Sequence, residues 1–179
     1  MIEQHPLIEV AEHVRREAPG VAVIFDLDST LFNVSPRTQH ILRSLANEPG
    51  FAAAHAEAAE VLKNIEVLPS DWGVREALAR TNLRPSRDLG DAVRSYWREH
   101  FFSSRHLDKD SLYPSADEYV RHLHELGAEI LYLTGRGEGA MREGTLRALK
   151  AWGFPLYNEA SLLMKPSEVQ TDEALKPVS

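Results

Sequence analysis

The apolar positions of this chain change period several times, and the changes outline its elements. Leu7, Val10, Ala11 and Val14 share one face of a helix over residues 7–17. Pro19-Gly20 then breaks the chain, and residues 21–25, V-A-V-I-F, form an unbroken apolar run. It is too short for a buried helix and reads as a fully buried strand. From Asn33 to Leu112 no further strand of that kind occurs. The pattern is helical over residues 36–46, 52–63, 71–80 and 87–102, with breaks at Asn47-Glu48-Pro49-Gly50, Leu68-Pro69-Ser70 and Leu83-Arg84-Pro85. Residues 115–126 predict another helix, with Ser115 and Glu118 as a capping box. Residues 129–133, E-I-L-Y-L, read as a second buried strand. Residues 140–152 follow as a helix with Leu146 and Leu149 on one face and Gly153 as its stop. Leu162-Leu163-Met164 reads as a third short strand. Short strands alternating with helices predict an α/β fold, a parallel sheet flanked by helices.

The chemistry gathers where the strands end. Asp26 and Asp28 follow the first strand directly and lead into Ser29-Thr30-Leu31. Unpaired carboxylates are too costly to bury, so this pair belongs at the strand's mouth, where a cation or a substrate can meet it. Ligands of parallel sheets bind beyond the carboxyl ends of the strands. The second strand ends in Thr134-Gly135-Arg136, and the third in Lys165-Pro166, at the same end.

These residues carry a family resemblance. Asp26-Leu27-Asp28-Ser29-Thr30 resembles motif I of the haloacid dehalogenase superfamily of phosphohydrolases, D-x-D-x-[TV]. Leu133-Thr134-Gly135-Arg136 resembles its motif II, and Gly153-Phe154-Pro155 the G-F-P that closes the following helix in many relatives. Thr171-Asp172-Glu173-Ala174-Leu175-Lys176 is similar to its motif III, with Lys176 as the better match and Lys165 as the rival. The resemblance implies a three-layer, Rossmann-like core over 1–33 and 110–179, with a helical cap of the C1 type over 34–109. Within such a cap the richest candidate surface is Tyr96-Trp97-Arg98-Glu99-His100-Phe101-Phe102.

The resemblance also implies a mechanism. Asp26 would be the nucleophile and Asp28 the general acid and base, with Mg²⁺ on Asp26 and Asp28. Thr134 and nearby amides would hold the phosphate. Lys176 or Lys165 would balance the charge, and Thr30, Gly135 and Arg136 would line the substrate. Asp28 argues against a dehalogenase, and Lys63, the only lysine amid the insertion, is thin support for a phosphonatase. The expected activity is that of a magnesium-dependent phosphatase on a small phosphorylated metabolite. One departure stands against it. Motif IV should add acidic residues on a further strand, and nothing after Lys176 supplies them. Truncation of the gene or of the expressed chain is the expectation, with weak Mg²⁺ binding and self-association through an uncovered sheet edge. The alternative is a truncated or degenerate relative of little activity that serves as a phosphate-binding or interaction module.

Composition narrows the choice of partners. The 179 residues suit one small enzyme domain with a real core, and the formal net charge of −7 argues against a nucleic-acid backbone as partner. There is no cysteine, hence no disulfide framework or thiolate chemistry. His55, His122 and His124 fall in ordinary helical segments, without the spacing of a zinc site. No apolar run is long enough to cross a membrane, and the start M-I-E-Q-H-P is unlike a signal peptide, so a cytoplasmic location is expected.

Overall fold

The computed structural model describes residues 5–166. In chain order the elements are α1 (Pro6–Glu17), β1 (Ala22–Asp26), β2 (Phe32–Asn33), α2 (Ser35–Ala46), α3 (Pro49–Ala54), α4 (Ala56–Lys63), α5 (Val74–Ala79), α6 (Arg87–Phe101), β3 (Ser111–Leu112), α7 (Ala116–Glu125), β4 (Glu129–Gly137), α8 (Glu138–Ala151) and β5 (Leu162–Lys165). Two compact units divide the chain. One runs to Leu31 and resumes at Leu112; the other is Phe32–Ser111.

The first unit is a parallel α/β core, as the alternation of strands and helices predicts. Its sheet has the order β1-β4-β5, with Asp26 opposite Leu133 and Leu133 opposite Leu163. Because these strands follow one another across the sheet, right-handed crossovers put both connecting helices, α7 and α8, on one face. Both pack on β4, whose residues alternate: Ile130, Tyr132, Thr134 and Arg136 are buried. Tyr132 packs edge-on to Phe154 and donates its hydroxyl to the Pro155 carbonyl at 2.8 Å.

The strand over 21–25 is not fully buried. It starts one residue later, includes Asp26, and alternates in exposure, with Ile24 57% exposed. Leu133 and Leu163 lie on the same side of the sheet as Ile24 and are also exposed among the described residues. Among the described residues the unbroken apolar run therefore marks β-propensity rather than two covered faces.

Other boundaries shift for local reasons. The helix expected over 52–63 is two helices, because His55 takes a non-helical conformation (φ −138°, ψ 55°) between α3 and α4. Pro49 does not break the chain but opens α3, where its missing N–H costs nothing. The segment at 71–80 turns helical only from Val74. Asp71 instead accepts from the Leu68 amide at 2.8 Å and pairs with Arg80, closing the preceding loop. Ser115 makes no capping box. Its backbone is left-handed (φ 61°), and its side chain does not cap α7.

The second unit, Phe32–Ser111, is helical, apart from the short pairing of β2 with β3 where the chain enters and leaves it. Leu42, Leu45, Phe51, Leu62, Val74 and Val93 belong to one apolar core. Near its two chain ends Arg37 and Asp110 form a fully buried ion pair at 3.0 Å, and the Arg37 guanidinium lies 3.9 Å from the Phe101 ring centroid.

Candidate active site

Leu27 organises the end of β1. Its side chain is wholly buried, so the residues on either side, Asp26 and Asp28, turn away from that anchor. Its carbonyl accepts from the amides of Thr30 and Leu31 at 3.3 and 3.0 Å, which folds the chain back in a tight turn. Ser29 takes the left-handed conformation that this turn requires (φ 63°). Thr30 then lies above Asp26, and its hydroxyl donates to Asp26 Oδ2 at 2.9 Å. The Asp26 carboxylate is exposed at the strand end, with one oxygen held in place by that bond.

β4 contributes the other half. The strand expected to stop at Leu133 continues through Thr134-Gly135-Arg136 to Gly137, with an irregular register between Thr134 and Gly137. Thr134 lies one residue beyond the partner of Asp26, and its Oγ1 accepts from the Arg136 amide at 3.3 Å. The alternation of the extended strand turns Arg136 to the same covered side as Thr134. There its guanidinium, 1% exposed, grips Asp28: Nη2 to Oδ1 at 2.6 Å and Nε to Oδ2 at 3.1 Å. Nη1 donates to Thr145 Oγ1 on α8 at 3.3 Å. Arg136 is thus engaged with Asp28 rather than presented to solvent.

Gly135 and Gly137 leave open space where a side chain would stand, so a ligand can approach the backbone there. α8 begins at Glu138 without a side-chain cap on its first amides. Its first-turn acid, Glu138, pairs with Arg142 at 3.2 Å. β5 extends past Met164, so Lys165 is its last residue, opposite Gly137, and its side chain is exposed. Thr171, Asp172, Glu173 and Lys176 lie outside the described residues.

The sequence reading missed Thr145, a buried helical threonine whose role appears only once Arg136 is placed against it. It also missed a histidine cluster in the helical unit. His100 Nδ1 and His106 Nε2 are 3.3 Å apart, and the His40 ring is 5.0 Å from that of His106. Burial, together with His40 and His100, lowers the His106 pKa below its ordinary value. Among the described residues no group of three or more His, Cys, Asp or Glu is arranged to hold a metal ion. A cavity of 390 Å³ in the core unit, beside Val21, Ala22 and Glu129, lies at the amino ends of the strands.

A parallel α/β core with paired aspartates at one strand mouth and a threonine at the next defines the class of protein. The family model of haloacid dehalogenase-like hydrolases matches residues 21–157, from the start of the first strand to beyond α8. The chain belongs to the haloacid dehalogenase-like hydrolase family. No curated protein matches it. Among the described residues no helix is long and apolar enough to cross a membrane.

Proposed function

We propose that this protein is a magnesium-dependent phosphatase that hydrolyses a small phosphomonoester through an aspartyl phosphate on Asp26. The observation that carries the reading is the Asp26 carboxylate, exposed at the carboxyl end of β1 and oriented by Thr30, with Thr134 one residue past its partner on the neighbouring parallel strand. An Asp26 oxygen attacks phosphorus and the bond to the leaving oxygen breaks. Asp28 protonates that oxygen, then takes a proton from the water that attacks phosphorus and frees Asp26. Arg136 positions Asp28 and favours its ionised form, which takes the proton from water; donating a proton to the leaving oxygen requires one arm of Arg136 to release Asp28. Thr134 and the open backbone around Gly135 hold phosphate oxygens. Lys176 or Lys165 balances their charge, and the exposed end position of Lys165 keeps it in contention.

The donors at the strand mouth are hard oxygens, and they fit Mg²⁺ with water completing its shell. The Asp26 carboxylate and the Asp28 carbonyl would hold it, since the Asp28 carboxylate is engaged by Arg136. When bound, the ion would neutralise charge on the transferring phosphoryl group. A second reading is a phosphate-binding relative of low turnover, since among the described residues no group of three or more His, Cys, Asp or Glu is arranged to hold a metal ion. A phosphate-release screen over phosphomonoesters with Mg²⁺ separates the two. Turnover abolished by Asp26→Asn supports the phosphatase; no release from any substrate supports the binding module.

A further inference from the structure

We propose that the helical unit carries a binding cavity for a phosphorylated aromatic ring, of the nucleoside-monophosphate class, with Trp72 and Trp97 taking the ring and Arg84 and Arg87 the phosphate. A cavity of 890 Å³ lies wholly within this unit, lined by α5, α6 and the segment between them. That volume falls in the range of about 300–1,000 Å³ that small-molecule sites occupy. It is also far more than a bare phosphate needs.

Two features of the lining argue for the ligand. The first is aromatic. Trp72 is 96% exposed, the most exposed of the large apolar side chains among the described residues. A tryptophan left in water gives up the burial that its ring ordinarily gains, and here it stands at the rim of a cavity. Trp97 lines the same cavity from α6. It is held by the Phe101 ring at 4.7 Å and by a hydrogen bond from its Nε1 to Thr38 Oγ1 at 3.4 Å, so it offers a fixed ring.

The second feature is charge. In a chain of net charge −7, the lining of this cavity includes Arg75, Arg84, Arg87 and Arg94. Two of them have carboxylates at hand: Arg75 lies 4.0 Å from Glu76, and Arg94 3.1 Å from Asp91. Arg84 donates instead to the main-chain carbonyls of Thr81 and Leu83, which do not cancel its charge. Arg87 opens α6, and its neighbour Asp88 does not line the cavity. Two guanidiniums three residues apart in the lining suit a doubly charged phosphomonoester better than a single carboxylate.

The proposal does not depend on turnover at Asp26. It is tested by calorimetry on the full chain carrying Asp26→Asn, without divalent metal, with adenosine 5′-monophosphate, adenosine and inorganic phosphate as probes. The monophosphate should bind at least tenfold more tightly than either fragment. Trp72→Ala should weaken it about tenfold or more and leave phosphate binding unchanged. The double change Arg84→Gln with Arg87→Gln should weaken the monophosphate and leave adenosine unchanged. Trp72 is so exposed that its removal should preserve the fold, and circular dichroism checks this. Equal affinity for the monophosphate in parent and variants would overturn the proposal, as would failure to bind it at millimolar concentration. A preference for a single-stranded oligonucleotide over the monophosphate would also overturn it.

Discussion

Arg136 closes on Asp28 along one edge of its guanidinium, with Nη2 on Oδ1 and Nε on Oδ2. The sequence separates the two residues by a whole helical unit, and the sheet brings them together. A lysine at 136 carries the same charge but cannot form this two-pronged contact, and it also loses the bond to Thr145. Arg136→Lys should therefore cost about 2 kcal/mol of stability, the usual worth of hydrogen bonds to a charged group. It should also slow turnover at least tenfold, because Asp28 is no longer held. Urea unfolding and steady-state rates measure the two effects, and superimposable unfolding curves would rule out the structural half.

Asp26 and Asp28 should behave differently when neutralised. Asp26 is exposed, and the hydroxyl that holds it, from Thr30, is neutral. Asp26→Asn should abolish turnover with almost no change in melting temperature. A loss of a thousandfold corresponds to about 4 kcal/mol of barrier. Asp28→Asn replaces the carboxylate that the buried Arg136 grips by a neutral amide, so it should lower both rate and stability. Its rate loss should be larger for poor leaving groups than for good ones, which need little protonation. Retention of a tenth of wild-type turnover by Asp26→Asn would remove Asp26 as the nucleophile.

The two candidate lysines can be told apart by kinetics. Lys165 ends β5 on the sheet edge nearest Gly137, while Lys176 rests on its likeness to a family motif. Lys165→Ala and Lys176→Ala should divide cleanly. The change at the lysine that meets the phosphate should reduce kcat at least a hundredfold, about 2.7 kcal/mol in the transition state. The other should stay within a few-fold of wild type. Comparable small losses in both would mean that neither balances the transferring charge.

Much of the core could be read from pattern alone, for a physical reason. Short apolar runs ending in Asp26 and Thr134 fix both the strand and the end at which polar groups gather. The differences arise where a non-local pairing or a local backbone conformation departs from the simple pattern. The strand expected over 129–133 runs on through Gly135 and Gly137, pairs Gly137 with Lys165, and so buries Arg136 against Asp28. Ser115 and Glu118 have the spacing of a capping box, yet Ser115 takes a left-handed backbone, so the motif never forms. His40, His100 and His106 stand on separate elements of the helical unit, and no spacing rule connects them.

That cluster makes the stability of the helical unit depend on pH. His106 faces His40 from α2 and His100 from α6, with Arg105 and Asp108 on its own segment. Desolvation by burial disfavours its charged form most, His40, His100 and Arg105 add repulsion, and Asp108 opposes them. The folded pKa is therefore depressed below the ordinary value, so the unfolded chain binds the proton more readily. By linkage, stability rises with pH in this window. The contribution of His106 is complete above the unfolded pKa of about 6.5 and is lost as pH falls from there towards the folded pKa. His106→Asn removes the titrating ring, so it should flatten the dependence of melting temperature on pH between about 7.5 and 5. His100→Gln should reduce the same slope in part, because it removes one of the two neighbouring imidazoles. Thermal unfolding followed by circular dichroism at several pH values measures both, and a slope unchanged by His106→Asn would show that other groups set it.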